Sequence, residues 1–136
     1  MKIGNKEKGA AAERELLHMM CDANFACVRV AGSGLMSHSS QASDDSCDLL
    51  AGKFKKKYAI EVKSCKSKKR YLDKHQIENF LIFSEIFGLQ PIIAVKFNRQ
   101  GWFFLKPRDI EKTKSGLAIS LETAKKKGMT FDEFAK

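Results

Sequence analysis

Cys47-Asp48-Leu49-Leu50-Ala51-Gly52-Lys53-Phe54-Lys55-Lys56-Lys57-Tyr58-Ala59-Ile60-Glu61-Val62-Lys63 is the stretch that decides how this chain is read. Two short apolar runs, Cys47–Ala51 and Tyr58–Lys63, flank a turn made of Gly52 and the lysines 53, 55, 56 and 57, the pattern of a strand–turn–strand unit. A hairpin centred near Phe54 and Lys55 sets Asp48 opposite Glu61, and cross-strand partners share a face of the sheet. Glu61 and Lys63 also share a face, because side chains alternate along a strand. One register therefore gathers Asp48, Glu61 and Lys63 into a single patch. Charges on mostly apolar strands are costly unless paired. The patch is either a structural ion pair of Lys63 with Asp48 or Glu61, or a site.

Outward from the patch, a first helix is expected from about Lys6 to Ala23, with Asn5 as N-cap and Asn24 at the exit. Its apolar stripe reads Leu16, Leu17, Met20 and Cys21, and carrying it back a turn lands on Glu13 at the edge of the core. Phe25–Ala31 reads as a strand. The Ser/Gly segment from Gly32 to Ser46 has no periodicity and reads as a mobile loop. Beyond Lys63, the basic residues Lys66, Lys68, Lys69 and Arg70 read as a loop, and a second helix runs from about Asp73 to Phe87 and stops at Gly88. Ile77, Phe80, Leu81, Ile82, Phe83, Ile86 and Phe87 are too many apolar residues for one face of a surface helix. The helix is either sandwiched within the domain or meets a second copy of the chain, and a two-fold homodimer is the favoured solution.

Pro91–Phe97 and Trp102–Leu105 read as strands joined by the Asn98–Gly101 turn. The tail, about residues 120–136, reads as short helices: Ser120 caps one that ends in Lys125–Lys127 before Gly128, and Thr130 with Glu133 makes a capping box for another. Helix, three strands, helix, two strands describes an α/β domain with a mixed sheet flanked by helices.

The chain has 136 residues, a length that suits a single domain with its own core. Lys and Arg number 25 against 16 acidic residues, a net charge of +9. A small domain this basic attracts polyanions, nucleic acid first among them. No basic amphipathic helix sets Trp or Phe opposite its lysines, and no apolar run approaches the ~20 residues that span a bilayer, so no membrane partner is expected. Residues 1–8 run straight into charge without a leader-like apolar stretch, which sets the expectation at a cytoplasmic or nuclear protein. Cys21, Cys27, Cys47 and Cys65 form no CxxC pair and no zinc-like spacing with histidine, and read as reduced small residues near the core.

The patch suits phosphodiester hydrolysis. Mg²⁺ lowers the pKa of a bound water and polarises the phosphate, and takes a few carboxylates with waters and phosphate oxygens completing its shell. Asp48 and Glu61 are hard ligands, with the backbone carbonyl of Val62 as another. Lys63 would stabilise the anionic transition state or orient the water, and Glu13 would complete a second metal position or bind a metal-bound water.

Asp48 followed by Glu61-Val62-Lys63 after a strand–turn–strand resembles the PD-(D/E)xK nuclease motif. Lys8-Gly9-Ala10-Ala11-Ala12-Glu13-Arg14-Glu15, then Phe25–Arg29 and Ala31-Gly32-Ser33, resemble the archaeal Holliday junction resolvases, in order and with similar spacing over about Gly9 to Leu105. The resemblance implies a restriction-endonuclease-like fold and a homodimer that nicks opposing strands of a four-way DNA junction with a divalent metal, Mg²⁺ or Mn²⁺ in its place, in recombination and repair. It implies Glu13, Asp48 and Glu61 as metal-site acids and Lys63 as catalytic lysine. Arg14, Arg29 and Ser33 then match residues that support cleavage or contact DNA, and Gln76 the polar helix residue near such sites. With an archaeal resolvase as guide, the protein is expected in the cytoplasm with the nucleoid, and no nucleotide cofactor is expected.

Two features depart from the family pattern: residues 34–46 contain no Lys or Arg, and Cys47 precedes Asp48 where the motif has Pro. Lys6 and Lys8, the lysines 53–57 and the cluster 66–70 are expected to lie around the site, with Lys6, Lys8, Lys66, Lys68, Lys69 and Arg70 as the DNA contacts. No helix-turn-helix, zinc finger or aromatic RNA-binding signature is present, so recognition of DNA shape and backbone is expected. Two other readings stand beside this one: another PD-(D/E)xK structure-specific or restriction-like endonuclease, and a non-enzymatic basic DNA-binding protein whose acids only brace the lysines.

Overall fold

A computed structural model describes residues 5–30 and 46–136, with side chains from Gly9 onward in the first stretch. Helix α1 spans Asn5–Asp22 and ends as expected at Asn24, whose φ of 69° is left-handed. The Asn24 N–H bonds to the Cys21 carbonyl at 3.1 Å and the Phe25 N–H to that of Met20 at 3.0 Å, the paired bonds of a Schellman close. The buried stripe is Ala12, Leu16 and Met20. Cys21, expected in that stripe, is exposed, because the face that meets the sheet recurs every four residues from Ala12. Strand β1, Ala26–Arg29, is shorter than expected: Phe25 turns into the core, Val30 keeps a single bond to the Asp48 carbonyl at 2.9 Å, and Ala31 lies outside the described residues, as does the expected loop but for Ser46.

Strands β2 (Leu49–Lys53) and β3 (Lys56–Cys65) form the anticipated hairpin, with Phe54 and Lys55 between the paired Lys53 and Lys56. Both strands reach further into the lysine run than expected, because Lys53 is anchored there. Its ammonium donates to the carbonyls of Ala23 at 3.1 Å and Ala135 at 2.9 Å and lies 5.2 Å from the Phe25 ring centroid, so the lysine turn meets the tail at the opposite end of β3 from Lys63 and does not surround the site as expected.

Helix α2 (Lys74–Phe87) is capped by Asp73, which accepts the Gln76 N–H, and closed by Gly88 at φ 83°. It links β3 to the parallel strand β5 (Gln90–Phe97), and β6 (Gly101–Leu105) completes a mixed sheet ordered β1-β2-β3-β5-β6. The run Ala59–Val62 and the run Ile92–Val95 are buried throughout, as parallel central strands covered on both faces should be. One core, with Leu16, Met20, Ile60, Val62, Ala94 and Phe104, lies under α1. The other, with Ala59, Ile77, Phe80, Ile93 and Val95, lies under α2. α2 is sandwiched on one side only: Ile77, Phe80 and Phe83 are buried, whereas Ile86 is 70% and Phe87 59% exposed.

A second sheet corrects the expected pattern of five strands. Lys69 and Arg70, read as loop, belong to β4 (Lys69–Leu72), which pairs with β8 (Gly116–Ser120), and β8 pairs with β7 (Glu111–Thr113). The tail helices α3 (Leu121–Lys127) and α4 (Phe131–Ala135) carry the expected caps at Ser120 and Thr130. Phe134 stacks on Phe104 with centroids 4.4 Å apart, so the tail closes the α1-side core.

Candidate active site

The Leu49–Ile60 pairing that opens β2 leaves Asp48 just outside the strand, alongside Glu61 and Val62. The Asp48 carboxylate accepts the Val62 N–H at 2.7 Å, and its own N–H bonds to the Ile60 carbonyl at 3.0 Å. A residue's N–H and C=O face the same edge of a strand, so the Val62 carbonyl is turned toward Asp48. Glu61 and Lys63 point to the α2 side and are 3% and 9% exposed. Their charged ends lie 3.6 Å apart. The Lys63 ammonium also donates to the Gln76 side-chain carbonyl at 2.7 Å. Gln76 stands in the first turn of α2 because Asp73 caps the helix there. The Lys63–Glu61 ion pair weighed from sequence is thus present, tied to a polar side chain of the helix above.

Glu13 arrives from α1 and is fixed by Arg29 of β1, whose Nε donates to its carboxylate at 2.7 Å. Burial holds the Glu13 carboxyl above its ordinary range. The Arg29 hydrogen bond opposes this rise, and the charge of Asp48 adds to it. Glu13 therefore lies close enough to Asp48 both to sense its charge and to share a hydrogen bond with it, a crowding of carboxylates that a bound cation relieves. Cys47, at the position of the motif proline, is buried with its Sγ 3.4 Å from the Leu49 carbonyl. Its thiol is pushed up to about 12 by burial first, then by the charges of Asp48 and Glu61.

Among the described residues, no three His, Cys, Asp or Glu side chains are grouped so as to hold a metal ion by themselves. Three carboxylates, oriented by an arginine, a backbone N–H and a lysine, still suit a hard cation that draws most of its shell from water and phosphate. Asp48, Glu61, Glu13 and the Val62 carbonyl are the groups that could hold it.

A groove of about 900 Å³ between α1 and β4 is lined by Gly9, Ala12, Lys66, Arg70 and Tyr71 among others, and of the site residues Val62 and Lys63 line it whereas Glu13, Asp48, Glu61 and Gln76 do not. Arg14 is exposed on α1 next to Glu13. Lys66 and Lys69 line the groove, and Arg70, also in it, donates to the Ser64 carbonyl at 3.1 Å. Lys68 is exposed on the same segment but does not line it. Lys6 and Lys8 fall on the first turns of α1, where side chains lie outside the described set, and Ser33 lies outside the described residues altogether. Sequence reasoning passed over Tyr71 and Lys96, both of which line the groove. An aromatic directly after two basic residues, Lys69-Arg70-Tyr71, was the available signal.

The family model described as archaeal Holliday junction resolvase (Hjc) matches residues 4–136. A crossover junction endodeoxyribonuclease Hjc from Archaeoglobus fulgidus is 35% identical, covering 94% of this chain and 95% of its own length. Its namesake from Sulfolobus acidocaldarius is 32% identical over 98% and 90%. The solved structure of Archaeoglobus fulgidus Hjc, described as a Holliday junction resolvase from an archaeal hyperthermophile, superposes with a TM-score of 0.79 at 30% identity, covering 94% of this chain and 95% of that one.

Proposed function

The chain belongs to the archaeal Holliday junction resolvase family, and from that premise we propose that it resolves four-way DNA junctions by paired, symmetric, metal-dependent nicks in recombination and repair. The observation that carries the reading is the convergence of Asp48, Glu61 and Lys63, with Gln76 on the lysine, where Val62 and Lys63 meet the edge of a basic groove.

Asp48, Glu61, Glu13 and the Val62 carbonyl would hold the metal. The chemistry that Mg²⁺, or Mn²⁺ in its place, would supply there is a water of lowered pKa and neutralisation of charge on the phosphate. Lys63, held by Gln76 and Glu61, presents its ammonium to the charge that develops on the phosphate oxygens. Arg29 keeps Glu13 turned toward Asp48. Arg14, Ser33, Lys6, Lys8, Lys66, Lys68, Lys69 and Arg70 meet the DNA backbone, a role supported by the net charge of +9 and by electrostatic attraction independent of base sequence.

Paired nicks require two sites, and a two-fold homodimer supplies them. The outer face of α2, with Ile82, Ile86 and Phe87, continues over Leu89 onto Val28 of β1 and supports that assembly. Among the described residues no helix is long and apolar enough to cross a membrane. The place of action is the cytoplasm, with the nucleoid.

The test is cleavage of an immobile four-way junction labelled on each strand in turn, beside a linear duplex of matched sequence, with Mg²⁺ or with EDTA. Symmetric nicks on the junction alone, lost in EDTA, are expected. Equal cutting of duplex would move the enzyme to another nuclease class. Binding without any cut would leave a DNA-binding protein whose acids are structural.

A further inference from the structure

Strand β4 carries a side chain for which the cleavage chemistry has no role. Tyr71 is 64% exposed and lines the same groove as Lys63, Lys66, Lys69 and Arg70. The Lys69 ammonium lies 5.3 Å from the ring centroid, within cation–π range. The backbone pairs with Ala118 of β8, whose side chain is too small to cover the ring. On the other side along the strand, Arg70 is tied to the Ser64 carbonyl. An exposed aromatic ring among cations is the arrangement that binds unstacked nucleotides: the cations track the backbone and the ring takes a base.

Linear duplex has no base for such a ring, since each base within it is stacked on both sides. A four-way branch whose centre is open does, as it is without divalent ions, because the base pairs flanking the crossover then lose a stacked neighbour. We infer that Tyr71 selects branched over linear DNA: its ring stacks on a base exposed at the branch point while Lys66, Lys69 and Arg70 hold the phosphates of the strand that enters the groove. The inference rests on the junction-resolving function proposed above and names the residue that gives it shape selectivity.

The experiment compares wild type, Tyr71→Ala and Tyr71→Phe, each confirmed folded by circular dichroism. Affinity is measured in EDTA for an immobile junction and for matched linear duplex, with 2-aminopurine at each branch-flanking position in turn. Cleavage of the junction is followed separately in Mg²⁺. Tyr71→Ala is expected to lose about 5- to 150-fold in junction affinity, the range that follows from truncating one base-stacking aromatic. Its duplex affinity should be unchanged, and the 2-aminopurine quenching seen with wild type should vanish. Tyr71→Phe should behave as wild type. If Tyr71→Ala keeps both the junction preference and the quenching while wild type nicks the junction, the stacking role is wrong and the resolvase function stands. An equal loss in Tyr71→Phe would assign the effect to the hydroxyl and overturn stacking. Wild type that shows no junction preference and no junction cleavage would remove the functional reading itself, and the inference with it.

Discussion

The Lys63 ammonium donates to the Gln76 side-chain carbonyl at 2.7 Å, closer than its 3.6 Å approach to Glu61. A buried lysine on a central strand is thus oriented by the first turn of the helix that crosses above it. Gln76→Ala removes that acceptor. A hydrogen bond to a charged group contributes about 1.5–3 kcal/mol, so single-turnover cleavage should slow at least about 10-fold. Junction affinity in EDTA should stay near wild type. An affinity loss as large as the rate loss would make Gln76 a DNA contact instead of the support of Lys63.

Cys27 offers a prediction about pH. Burial, with the neighbouring Cys21 adding to it, pushes its thiol from 9.0 up to about 11. Below pH 9 both folded and unfolded chains hold the proton. Above it the unfolded chain loses the proton first, so the contribution to stability is lost as pH rises from about 9 through about 11. Urea midpoints in reducing buffer should fall between about pH 8 and pH 10.5, and Cys27→Ala should fall less. Parallel curves for the two proteins would show that Cys27 does not drive the loss.

Phe87 and Ile86 stand exposed on α2, and a charge placed in an apolar interface between copies would be buried without a partner. Phe87→Glu should therefore give a monomeric mass by light scattering at micromolar concentration, where wild type gives a dimer. The variant should fold, because residue 87 lies outside both cores. A monomeric wild type would remove the assembly from the account.

Backbone recognition implies steep salt dependence, because each phosphate contact releases condensed counterions. Junction affinity should fall with added salt, and Lys66→Ala should reduce the log–log slope by about 1. Affinity flat from low to moderate ionic strength would contradict phosphate contact.

Much of this was legible in the sequence where the deciding interactions are local. The hairpin could be placed because alternation and a lysine-rich turn set its register, and that register carried Asp48 to Glu61 and Lys63. Asp73 and Gly88 marked the ends of α2 through caps that act within one turn. The second sheet was not legible. Lys69 and Arg70 form a strand only because Ser120 and Ile119 pair with them from across α2, β5 and β6, and basic residues on a strand's open face mimic a loop. Tyr71 was missed for the same reason. The Glu13–Arg29 contact is another case: the helix pattern set Glu13 at the core's edge, but only the packing of α1 against β1 brings the arginine onto it.

The central claim, paired nicking by carboxylates on a two-fold assembly, is tested most directly on a supercoiled plasmid that extrudes a cruciform. Two nicks made within one binding event yield linear DNA, whereas uncoordinated nicks leave nicked circles. The account predicts linear product as the first product, dependent on Mg²⁺ and absent with Glu61→Gln although that variant still binds junctions. Accumulation of nicked circles ahead of linear DNA, or equal cutting of a plasmid without the inverted repeat, would contradict it.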